Sequence, residues 1–148
     1  MKISCKVEFG VIALADIAIY SEGGGTVSSG EISQRQNISQ KYLEQILVAL
    51  RQAGFIRGQK GSRGGYSLAR RAESIYFTDI LNALDNTILA DSYTPGEDIE
   101  ELRDLVNGCV WEKLNRLLRG FADTMTLADL VEKYKTESGS GGEYMYYI

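Results

Sequence analysis

Apolar residues recur at helical spacing from near the start of the chain. Val7, Val11, Leu14, Ala15 and Ala18 follow Ser4, an N-cap residue, and predict a helix that Gly23-Gly24-Gly25 closes. Its most apolar stretch, Phe9 to Ile19, is about half a membrane span and contains Asp16, so it is read as a buried helix rather than a membrane segment. Ser28-Ser29-Gly30-Glu31 has the form of a capping box and predicts a short helix to about Gln36. Asn37 suits a left-handed turn. Ser39 then caps a second helix to about Ala53, with Leu43, Ile46, Leu47 and Leu50 at i, i+3, i+4, i+7 and Gly54 as its stop. A short helix, a tight turn and a longer helix make a helix-turn-helix.

Phe55 to Lys60 and Tyr66 to Ala69 flank Gly61-Ser62-Arg63-Gly64-Gly65, which predicts a β-hairpin with a basic, glycine-rich tip. A hairpin directly after a helix-turn-helix is a wing. Thr78 is expected to cap a short helix, Asp79 to Leu84, before a loop with the only proline, Pro95. A long helix is predicted from about Glu97 to Phe121. Its stripe of Leu102, Val106, Val110, Leu114, Leu117 and Phe121 is flanked by Ile99, Leu105, Trp111 and Leu118, so it is apolar on more than one side. Either one face packs on the body and another on a partner subunit, or the helix is simply core. Thr126 and Asp129 open a further helix to about Lys135. Thr136 to Gly142 reads as a linker, and Glu143-Tyr144-Met145-Tyr146-Tyr147-Ile148 is an aromatic tail. The expected divisions are a winged helix-turn-helix over residues 1–85, a dimerisation helix over 97–121, a C-terminal helix over 126–135 and a tail over 136–148.

Charge changes this picture. The 148 residues carry a net −4, but eight bases and two acids fall between Ser28 and Arg71, a local +6 on an acidic chain. The bases are Arg35, Lys41, Arg51, Arg57, Lys60, Arg63, Arg70 and Arg71. Such a block is the footprint of phosphate binding, or else a solvated surface. The predicted second helix turns Gln40, Lys41, Glu44, Gln45 and Val48 outward, with Ser39 and Tyr42 at its exposed start. These side chains suit a major groove: Gln pairs with adenine, Glu accepts from the cytosine amine, Ser and Lys hold phosphate or guanine. Ser28 and Arg51 join this contact set, and the hairpin offers Lys60, Ser62, Arg63 and Gly64 for phosphates or a minor groove.

The chain has no histidine, which excludes serine or cysteine catalysis paired with histidine and every His-ligated metal site. The glycines at 58, 61, 64 and 65 match neither a dinucleotide fingerprint nor a P-loop. Glu100, Glu101 and Asp104 read as a solvated face. No enzyme chemistry, metal or cofactor is implied. Two distant cysteines, Cys5 and Cys109, point to a reducing cytosol. Each is expected to be a small buried apolar residue. The alternative is a thiol redox switch, since a helix N-terminus raises the reactivity of a thiol such as Cys5.

Met1-Lys2-Ile3-Ser4, Ile38 to Gln45, Leu50 to Ile56 and Lys60 to Ala69 together resemble the Rrf-type bacterial transcription regulators, over about residues 1 to 135. The resemblance implies a mainly α, winged helix-turn-helix fold with a small β-hairpin wing and a long dimerisation helix. It further implies a cytoplasmic homodimer on a pseudo-palindromic site in double-stranded promoter DNA. The helix starting at Ser39 would lie in the major groove, Glu44 and Gln45 facing bases, and the wing in the minor groove. Many members carry Arg-Gly-Pro where this chain has Lys60-Gly61-Ser62.

Cluster-binding members carry three cysteines before the dimer helix, whereas Asn86 to Gly108 holds neither cysteine nor histidine. The closing string, Tyr144 to Ile148, resembles the end of the CymR-type repressors of cysteine metabolism. It implies O-acetylserine sulfhydrylase, the cysteine synthase, as a partner bound through Tyr146, Tyr147 and Ile148, with Ile148 and its carboxylate entering the enzyme's active site and O-acetylserine competing. A frayed end or a strand on the body is the other reading of the tail. The expected function is a dimeric repressor of cysteine or sulfur genes. The alternatives are an iron–sulfur or thiol sensor of the same family, or an adaptor that binds an enzyme through its tail.

Overall fold

The computed structural model describes residues 2–91 and 101–139. Helix α1 spans Cys5–Tyr20, and Ser4 Oγ caps it by accepting from Val7 N–H at 3.3 Å. Helix α2 spans Ser29–Gln36 behind the full capping box of Ser28 and Glu31. Asn37 turns the chain at φ +53, and α3 follows over Gln40–Gln52, with Ser39 as its N-cap. Gly54, at φ +80, permits the reversal into the hairpin, since the left-handed region costs glycine no Cβ clash. Strands β1, Ile56–Gln59, and β2, Gly65–Leu68, pair antiparallel from Ile56↔Leu68 to Gln59↔Gly65.

The core is the junction of α1 with α2, α3 and α4, where α4 spans Phe77–Leu84. Leu14, Ile17, Ile32, Leu43, Leu47, Leu50, Ile75 and Ile80 are fully buried there. The i, i+3, i+4, i+7 face of α3 is therefore committed inward, and its other face is left outward.

Helix α4 begins at Phe77 and not after a Thr78 cap. The reason is a long-range pairing: Phe77 N–H donates to Met125 O at 2.9 Å and Leu127 N–H to Ile75 O at 2.8 Å. A backbone bridge thus serves where a capping side chain was expected, and the Thr78 hydroxyl donates instead to Asp123.

The described part of the long helix comprises α5, Glu101–Val106, a π-helical turn, Asn107–Trp111, and α6, Glu112–Thr124. Backbone dihedrals stay helical through Val106, Trp111 and Glu112, so the segments follow one another without a break. The predicted start at Glu97 lies outside the described residues. Helix α7 spans Leu127–Gly139, opened by reciprocal bonds between Thr126 and Asp129. Residues 136–139, expected to begin a linker, are helical: the Thr136 and Ser138 hydroxyls donate back to Glu132 O and Tyr134 O, and Lys133 pairs with Glu137. Among the described residues, no helix is long and apolar enough to cross a membrane.

Candidate nucleic-acid interface

With its apolar face buried, α3 presents Gln40, Lys41, Glu44, Gln45, Val48 and Arg51 to solvent. Ser39 is also exposed, its Oγ accepting from Tyr42 N–H at 3.5 Å. Gln40 Nε2 donates to Ser29 Oγ at 3.4 Å, a link between the two helices of the motif. Tyr42 departs from expectation. It is half-buried, its ring edge-on to Phe9 at 6.1 Å, because α1 passes close enough to draw it inward. Ser28 is likewise half-buried: its hydroxyl accepts from Glu31 N–H, and its own N–H donates to the Glu31 carboxylate at 2.7 Å. Those bonds hold the Glu31 carboxyl below its ordinary range, chiefly through the Ser28 backbone N–H. The Ser28 hydroxyl still has its hydrogen to donate.

The wing tip is a tight turn closed by Gly64 N–H donating to Gly61 O at 2.9 Å, with Ser62 and Arg63 at its corner. Lys60, Ser62 and Arg63 are exposed. Gly64 itself is half-buried and structural: a Cβ there would lie 2.4 Å from Gln59 O. The wing is also tied to the segment before α2. Val27 N–H donates to Tyr66 O at 2.9 Å, Tyr66 N–H to Val27 O at 2.7 Å, and Thr26 Oγ1 to Arg63 O at 3.0 Å. Gly65, at φ +152, lets this approach happen; a Cβ there would stand 2.8 Å from the Val27 carbonyl. These three bonds therefore tie the start of the motif to the wing.

The basic block is smaller than its count suggests. Arg35 belongs to the fold: Nε and Nη2 donate to the two oxygens of Asp16 at 3.0 and 2.9 Å, while Gln36 Nε2 donates to Asp16 at 2.8 Å. The Asp16 side chain is fully buried. The bond to Asp16 raises the Arg35 guanidinium above its ordinary value, and the group also lies 4.0 Å from the centre of the Tyr20 ring. Arg71 faces Glu73, Arg70 donates to Ser74 O, and Arg57 donates to Ser67 Oγ. Lys41, Arg51, Lys60 and Arg63 are exposed and make no ion pair among the described residues. Sequence reasoning missed Thr26, Val27 and Gly65, whose bonds span distant segments, and the Asp16–Arg35–Gln36 cluster. The signal for the cluster was present: an acid inside a buried apolar run requires a partner.

Cys5 and Cys109, expected in the core, are both exposed. Cys5 lies on the side of α1 opposite Val7 and Leu14, and Cys109 lies in the π-helical turn. The predicted partner-binding residues Tyr146, Tyr147 and Ile148 lie outside the described residues.

Comparison with known proteins places this geometry in a lineage. A family model described as "Rrf2: Iron-dependent Transcriptional regulator" matches residues 3–133. The HTH-type transcriptional regulator IscR of Cereibacter sphaeroides is 36% identical over 137 residues, covering 89% of this chain and 88% of that protein. The structure of CymR (YrzC), the global cysteine regulator of B. subtilis, is similar at a TM-score of 0.77 and 30% identity, over 90% of this chain and 98% of that one. The T. potens IscR structure is similar at a TM-score of 0.74 and 34% identity, over 90% and 88% of the two chains. A winged helix-turn-helix with an outward polar recognition face, matched along nearly its whole length, belongs to the Rrf2 family of DNA-binding transcriptional regulators.

Proposed function

We propose that the protein is a cytoplasmic, dimeric, sequence-specific repressor that reads promoter DNA with α3 and grips phosphates with the wing. The observation that carries this reading is the outward set Lys41, Glu44 and Gln45 on α3 beside exposed Lys60 and Arg63, without an ion pair among the described residues, on the tethered wing tip. Glu44 and Gln45 contribute sequence preference through base edges, and the cations contribute affinity through phosphates. The test is binding to specific and random duplex across a salt series. Arg63→Ala and Lys60→Ala weaken binding to both duplexes and reduce the salt slope. Glu44→Ala and Gln45→Ala relax preference, with about 1–3 kcal/mol at stake per good base contact. Equal losses on both duplexes for all four variants would defeat the assignment.

The homodimer is supported by the long helix. Leu102, Leu105, Val110, Trp111, Leu114, Leu117 and Phe121 are exposed along residues 101–124 within the chain. A stripe of that size, about 29 Å from Leu102 to Phe121 at the rise of a helix, is what a second copy of the same helix covers.

For the regulated genes, likeness to a global cysteine regulator and the CymR-type closing string favour cysteine or sulfur metabolism, with cysteine synthase bound through Tyr146, Tyr147 and Ile148. Calorimetry of the synthase with the full chain and with a variant lacking Ile148 tests this. Binding that needs Ile148 and is competed by O-acetylserine supports it, and no binding removes it.

The family description and the IscR relatives raise iron as a second reading. The donor set does not fit it. The sequence holds no histidine and two cysteines, which sit on different elements, and among the described residues no three His, Cys, Asp or Glu side chains gather as ligands. A cluster held by four thiolates or imidazoles cannot be assembled from one such chain.

A further inference from the structure

Val48 stands apart on the recognition face. Every other large aliphatic residue of α3 is buried: Leu43, Ile46, Leu47 and Leu50 are at most 1% exposed, whereas Val48 is 43% exposed. Among the described residues between Tyr20 and Tyr76, it is the one exposed large hydrophobic side chain. Lys41, Glu44, Gln45 and Val48 follow the i, i+3, i+4, i+7 spacing, so they share one side of the helix. Val48 lies about 6 Å along the axis from Glu44, under two base-pair steps of roughly 3.4 Å.

A branched apolar side chain gains nothing from a phosphate or from the hydrogen-bonding edges of bases. The major groove offers one apolar group, the C5-methyl of thymine. We infer that Val48 is a specificity-determining residue that selects thymine by packing its methyls against the thymine C5-methyl, within two base pairs of the pair that Glu44 faces. The inference rests on the assignment of α3 as the groove-reading helix. Val48 is not one of the buried residues that form the core, so substitutions there leave that core intact.

The test uses the full chain and a duplex pool with a randomised centre. Sites selected by the wild type and by Val48→Ser are sequenced, and each thymine in the wild-type site is then replaced singly by deoxyuridine. That change removes only the methyl and keeps the pairing edge. The wild type should enrich a thymine at one position of each half-site and bind the deoxyuridine duplex about fourfold more weakly, the transfer free energy of one methyl. Val48→Ser should lose that thymine preference and bind both duplexes alike, while Val48→Ile should keep the methyl dependence. Selection of a site in which no deoxyuridine matters, or an equal methyl effect in Val48→Ser, overturns the inference and leaves the groove-reading assignment standing. Failure to enrich any sequence overturns both.

Discussion

Replacing Arg35 by leucine strands the Asp16 carboxylate in the core. That side chain is fully buried and accepts three hydrogen bonds, two from Arg35 and one from Gln36. Arg35→Leu removes both charge-assisted bonds and the neutralising charge. Deleting one member of a buried pair costs about 3–5 kcal/mol, because an unpaired charge is left in low dielectric. The Arg35 side chain is itself 30% exposed, so water reaches the vacated site and the lower end, about 3 kcal/mol, applies. For a chain of this size that corresponds to a melting temperature lower by on the order of 10 °C. Removing both groups, Asp16→Leu with Arg35→Leu, should recover most of the loss, since a buried pair is often replaceable by apolar residues. Urea and thermal unfolding of the wild type, both single variants and the double variant supply the cycle. The reasoning is refuted if Arg35→Leu costs less than about 1 kcal/mol or the double variant is no better than the single. The same variant separates fold from function. Because the Arg35 charge is held by Asp16, Arg35→Leu should leave the salt slope of DNA binding unchanged, whereas Arg63→Ala should lower it by about one.

Three further outcomes are expected. Gly65→Ala forces a Cβ onto the Val27 carbonyl, so hydrogen exchange at the Val27 and Tyr66 amides should quicken and duplex affinity should fall; unchanged protection would show that the wing is not tethered there. Glu31 and Asp85 both have depressed carboxyl pKa values, Glu31 through Ser28 and Asp85 through the Thr87 hydroxyl and N–H. Their contribution to stability is thus present above the ordinary carboxylate value of about 4 and is lost as pH falls through the lower folded values, so the urea midpoint should drop on acidification and Glu31→Gln should flatten that drop. Leu117→Glu places a charge on the uncovered stripe of α6 and should halve the mass seen by sedimentation, with little change in helix content; an unchanged mass would move the dimer contact elsewhere.

What the sequence made legible was local. The capping box of Ser28 and Glu31, the left-handed Asn37, the Ser39 cap and the inward face of α3 all depend on residues within one or two turns. The hairpin followed from its flanking strands and glycine-rich turn. What escaped was set by pairings across the chain. Tyr42 turns inward because Phe9 is there to meet it, and α4 starts early because Met125 accepts from Phe77. Arg35 looked like one more phosphate contact because nothing nearby in sequence marks Asp16 as its partner. The exposed Cys5 has the same origin. Helical spacing gives the faces of α1, and only the packing of α3 and α4 decides which of them is covered.

The central claim is that α3 and the wing divide the work of DNA recognition between base preference and phosphate affinity. It is tested most directly by fluorescence anisotropy of the full chain on a selected duplex and on its scrambled counterpart across a salt series. The account predicts two chains per selected duplex, a clear preference over the scrambled sequence, and affinity that falls steeply with salt, with Glu44→Ala relaxing preference and Arg63→Ala shrinking the slope. Equal affinity for both duplexes, or binding indifferent to salt, would contradict it.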